Sequence, residues 1–260
     1  VRIRRKKRHA GKLITPESSS TENRYRAKDW AEEPLSEFME VATSRLYQTH
    51  ARIRDWWARL SAVDRTFLRI AQNLNESPNW FEGGFLIRAH SAYRAAARLA
   101  GSAQLPESYM VLRGCLEYGL YALYFAQDGA SKARWLTRSD TPENRKKVRN
   151  EFTAGAMLRV VKAKSARLGD IAQTLYDRLI DYGAHPNDMG LAGTSSLTET
   201  EDKYNLEMTY IADDGVPARF CLKLTATVGI VTLRVFGLIF RERYQILGLD
   251  RELDRISQGL

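Results

Sequence analysis

Two cysteines, Cys115 and Cys221, are all that the 260 residues contain, too few for a disulfide framework. Both fall in strongly apolar segments with no neighbour at metal-ligand spacing, so they read as reduced core residues of a cytoplasmic protein. Histidine is scarce as well: His9, His50 and His90 stand isolated, and no zinc pattern forms around them. No glycine-rich phosphate loop or nucleophile elbow is present, so neither metal nor organic cofactor is expected. After the basic start only Leu13 and Ile14 precede Thr15, Pro16 and the serine run 18–20. A secretory signal needs an apolar stretch of about 7 to 15 residues, so export is not expected.

What the chain does have is basic charge, net +9, with 44% hydrophobic residues. Residues 1–12 hold seven basic side chains and no acid, which leaves the other 248 residues at +2. Basic overall charge alone therefore does not make the body a nucleic-acid binder. The expected organisation is a solvated, disordered basic tail over 1–33 followed by one helical-bundle domain over 34–260.

Within that domain the apolar spacing predicts a mainly α, multi-helix bundle. A long amphipathic helix is expected from Pro34 to about Leu60, a second over Val63 to Leu74 and a third over Phe85 to Ala100. The fourth, opened by Pro106 and running to about Gln127, is apolar nearly all round, which marks it as central and buried. Helices follow over 131–138, 142–164 and about 166–182, the last closed by Gly183 and Pro186. Tyr204, Leu206, Met208 and Tyr210 alternate with polar residues ahead of an Asp213, Asp214, Gly215 turn, which predicts a small β-hairpin near 204–218. The final helix, about 219–247, carries an apolar run interrupted by Arg234. A charge at that depth is costly in a bilayer, so a buried bundle helix and no membrane partner are expected.

Two features could carry chemistry. Arg113 and Glu117 lie four residues apart on one face of the apolar fourth helix. A buried ion pair rarely adds stability over an apolar pair, so the two charges are either a register-fixing salt bridge or part of a site. Arg178 and His185 lie seven residues apart, which returns them to nearly the same helix face if α-geometry holds that far. His185 then either caps the helix end or points into a cleft.

An Arg, six intervening residues and a His at a helix end, within an all-helical chain, resembles the motif of the HEPN superfamily of helical RNase-like and nucleotide-binding domains found in bacterial toxins and phage-defence systems. Arg113 and Glu117 on an earlier helix, and the Tyr-rich corner from Tyr176 to Asn187, are similar to uncharacterised bacterial helical families near that group; the likeness covers roughly 80–245. The resemblance implies a metal-independent endoribonuclease of toxin–antitoxin or defence type. Arg178 would hold the scissile phosphate and His185 would act as general acid or base, with Arg113, Glu117, Tyr182 and Asn187 in support. It also implies a homodimer. The residue after the motif arginine is usually polar in active members, whereas here it is Leu179. The alternative is a non-catalytic helical module that binds a partner protein or a nucleotide.

Overall fold

The computed structural model describes residues 27–74, 77–186, 188–200 and 203–260. Residues 1–26 of the tail expected over 1–33 lie outside them. The fold is mainly α: twelve helices and one two-stranded antiparallel sheet occur among the described residues. The chain divides into two compact units at Val41, inside α1 (Pro34–Arg52). In the first unit the Glu33 carboxylate accepts the backbone N–H groups of Leu35 and Ser36 at 2.9 and 2.8 Å, satisfying the open donors of the helix start. Trp30 Nε1 donates to Glu40 at 3.0 Å.

The second unit, from Ala42 on, contains α2 (Arg54–Gln72), α3 (Trp80–Gly101), α4 (Leu105–Gln127), α5 (Gly129–Leu136), α6 (Pro142–Glu151), α7 (Ala154–Lys164) and α8 (Ala166–Leu179). A single π-helical turn, Ile180–Ala184, leads to α9 (Asp188–Ala192), β1 (Ser195–Thr200) and β2 (Lys203–Met208). The helices α10 (Val216–Ile239), α11 (Arg241–Leu247) and α12 (Leu249–Ile256) close the chain. As its composition predicts, α4 is central: α3, α7, α8, α10 and the π-turn pack on it, and Leu112, Cys115, Leu116, Leu120 and Leu123 are wholly buried. Burial pushes the Cys115 thiol up to about 12 and the Cys221 thiol to about 11, so both stay protonated. The other core helix, α10, approaches α2 and α3 at Gly229, where an added Cβ would lie 2.6 Å from Tyr93 and 2.7 Å from Val63.

Several elements differ from the periodicity reading. The expected helix 34–60 is broken at Ile53 (φ −119°, ψ 52°) with no Pro or Gly to announce it. The break turns Ile53 into the core, where it is 1% exposed, and tertiary burial outweighs the local helical preference. The segment 142–164 is two helices, because Thr153 caps α7 by accepting the Ala156 N–H at 3.3 Å. The hairpin exists, but the alternating strand at 203–208 pairs with the preceding 195–200, Leu197 opposite Leu206. The Asp213–Gly215 turn instead joins the hairpin to α10, with Asp214 bound by Arg45 at 2.6 Å and Arg52 at 3.1 Å. The last helix ends at Ile239, and Gly248, at φ 65°, caps α11 rather than one long helix. By length and composition α10 could cross a membrane, yet most of it is buried in the bundle, and Arg234 pairs with Asp254 at 2.8 Å.

Candidate functional site

Helix α4 presents Arg113 and Glu117 as the spacing requires, and Arg113 Nε donates to Glu117 Oε1 at 2.9 Å. The pair is not in the middle of the bundle. Each side chain is 31% exposed, because this stripe of α4 is the one that α8 only partly covers. Tyr176 of α8 completes the arrangement: its hydroxyl donates to the same Glu117 oxygen at 3.0 Å, and the Arg113 guanidinium lies 5.4 Å from the centre of its ring. Burial and the Glu117 charge raise the Tyr176 phenol above its ordinary range, so it remains a hydrogen-bond donor. This closed triad ties α8 to α4.

Arg178 and His185 do not join it. Two residues along an α-helix turn the side chain by about 200°, so Arg178 leaves α8 on the side opposite to Tyr176 and is exposed. The seven-residue register with His185 fails because α8 ends at Leu179 and the wider π-turn follows, with Gly183 inside it at φ 132°. A side chain at Gly183 would meet Pro106 at 2.9 Å; this close approach seats the turn on the start of α4. His185 is exposed, with Nδ1 3.2 Å from the carbonyl of Pro186. Tyr182 packs edge-on to Phe220 and tilts over Tyr109, within the core. Asn187 lies outside the described residues. No hydrogen bond or ion pair among the described residues links Arg178 or His185 to the Arg113–Glu117 pair.

Three further clusters, absent from the sequence expectations, take shape in the fold. His90, isolated along the chain, is buried against Phe67 in a stacked contact at 5.1 Å, and its Nε2 is 2.6 Å from Asp64 of α2. Arg94, one turn on, grips the same carboxylate with two bonds of 2.6 and 3.0 Å. Burial pushes the Asp64 carboxyl up, but the bonds from His90 and Arg94 outweigh it and hold it well below the usual carboxylate range. Glu82 of α3 is wholly buried and pairs with Lys132 of α5. Next to that pair, Trp80, Phe81, Phe85, Tyr118 and Trp135 enclose an open cleft of about 470 Å³. Arg88 sits 5.7 Å over Tyr118, and Arg138 lies 4.1 Å over Trp135.

Charge singles out the neighbourhood of this cleft. Residues 132–167, which form α5, α6 and α7, hold eleven basic and three acidic side chains, a net +8. Lys132, Arg134 and Lys162 are paired with acids. Arg138, Arg145, Lys146, Lys147, Arg149, Arg159, Lys164 and Arg167 are exposed and have no acid partner among the described residues. The next segment is the reverse: residues 168–214, which include Arg178 and His185, hold two basic and ten acidic side chains, a net −8. A running charge count would have revealed both blocks, which cancel in the total. The aromatic cleft had a weaker signal, the Trp80, Phe81, Phe85 spacing, with Trp135 fifty residues away. No protein-family model, curated protein or solved structure matches the chain. Fold and surface together define a helical bundle with an open aromatic cleft and two arginines stacked on its rings.

Proposed function

We propose that the chain is a non-catalytic helical module that binds single-stranded RNA on the face made by α3, α4, α5 and α6. What supports this is the juxtaposition of an open aromatic cleft with a run of unpaired cations. Every base has a π-face that stacks on Trp or Tyr without regard to sequence, and each phosphate neutralised releases a counterion. Arg88 and Arg138, already stacked on ring faces, are placed to meet phosphates beside a stacked base. Arg178 and His185 are the weaker place for RNA, since they belong to the segment of net −8, where phosphate is repelled.

Fluorescence anisotropy with a labelled twelve-nucleotide RNA tests the reading. Trp135→Ala is expected to remove roughly 1–3 kcal/mol, the worth of one stacked base. Replacing Lys146, Lys147 and Arg149 by Gln is expected to lower the slope of log K against log salt by about 2, at about 0.7 per contact. Absence of binding at low salt, or binding indifferent to both variants, refutes the module. The recovered RNA also decides the ribonuclease expectation: shortened RNA that stays intact with His185→Ala replaces the binding-only reading with a metal-independent RNase using Arg178 and His185.

A further inference from the structure

A second cavity, of about 480 Å³, lies between α2 and α3 and shares no residue with the aromatic cleft. Its apolar side is Trp57, Leu60 and Ala97, and Tyr93 seals the floor, its hydroxyl spent on the Leu60 carbonyl at 2.9 Å. Its polar rim is three guanidiniums, one carboxylate and the Ser61 hydroxyl. Asp64 is already committed, to His90 below and to Arg94 at the rim, so it fixes Arg94 in place and leaves little negative charge for the others. Arg65 and Arg98 are exposed, line the same cavity, and make no hydrogen bond or ion pair from their side chains among the described residues. Two unpaired guanidiniums beside an indole wall are a complementary surface for an oxyanion attached to a flat apolar body.

We propose that this cavity is a binding site for a small amphipathic anion, an aromatic or similarly flat group carrying a carboxylate or phosphate. The flat part lies against Trp57 and Leu60, and the oxyanion is held between Arg65 and Arg98, with Arg94 pre-set by Asp64 as the rigid edge. The cavity volume falls within the range of about 300–1,000 Å³ found for small-molecule sites. Because its residues are distinct from those of the RNA face, this site stands or falls separately from the RNA-binding reading.

Calorimetric titration of the full chain with phenyl phosphate, benzoate, inorganic phosphate and phenol tests it. Phenyl phosphate or benzoate is expected to bind more tightly than inorganic phosphate, and phenol not at all; which of the two binds better identifies the head group. Arg65→Gln and Arg98→Gln are each expected to weaken the bound anion about ten-fold, the loss of one charge-assisted hydrogen bond. Arg251→Gln, a change of the same charge at an exposed position outside the cavity, is expected to leave affinity unchanged. The proposal is overturned if none of the anions binds, if phenol binds as well as they do, or if Arg251→Gln weakens binding as much as the rim variants. Melting curves of both rim variants, expected to match the parent, separate lost binding from lost fold.

Discussion

Removing the partner of the buried Glu82 carboxylate should cost far more than removing Glu82 itself. The two oxygens of Glu82 are inaccessible, and among the described residues neither receives a hydrogen bond of good geometry and Lys132 is the cation that offsets the charge. Lys132 is 29% exposed and reaches water along its own stem. In Lys132→Met the carboxylate is stranded; a buried pair broken in this way loses about 3–5 kcal/mol, and the partly hydrated lysine places this case near about 3. Glu82→Met strands only a lysine that can turn outward, for a loss of about 1 kcal/mol or less. The double variant, with apolar groups on both sides, should recover most of the stability. In urea, with a slope of roughly 3 kcal/mol per molar for a chain this size, Lys132→Met lowers the midpoint by about 1 M. Tryptophan fluorescence, with Trp135 on α5, reads the transition. If Lys132→Met lies within about 1 kcal/mol of the parent, or the double variant is no more stable than Lys132→Met, the pair does not hold α5 to α3 as described.

Acid should expose the Asp64 cluster. A carboxyl whose folded value is depressed stabilises the fold above its unfolded value of about 3.9, and that share is lost as pH falls through the folded value. Melting temperatures measured from pH 6 down to 2 should therefore fall on an acid limb below about pH 4, and Asp64→Asn should flatten that limb; an unchanged limb refutes the assignment. Glycine-to-alanine changes at two helical positions should have opposite signs. Gly229→Ala overpacks the contact with Tyr93 and Val63 for a loss of about 1–3 kcal/mol, whereas Gly114→Ala meets nothing within 4 Å and gains about 0.5–1 kcal/mol of helix preference. Equal melting temperatures for the two would contradict the packing.

The helical class and the central place of α4 were readable because a helix apolar on all sides packs best where other helices cover every face. Pro106 and Thr141 likewise marked helix starts through chemistry local to the chain. The break at Ile53 was not readable, since nothing local causes it; the core does. The register from Arg178 to His185 failed for a related reason, as one π-turn changes the facing of every residue beyond it. Of the candidate site, the Arg113–Glu117 bond follows from helix spacing, but its third member, Tyr176, comes from another helix. Asp64 and His90 are 26 residues apart and meet only because α2 and α3 pack.

The +8 segment and the −8 segment adjoin in sequence, and their cancellation in the total hides two blocks of opposite charge rather than a neutral stretch. Net charge therefore says little about what either block attracts: phosphate is drawn to the first and repelled by the second, whatever the sum. In dilute buffer each block acts over a long range, and physiological salt, with a screening length of about 8 Å, confines each to the ions beside it.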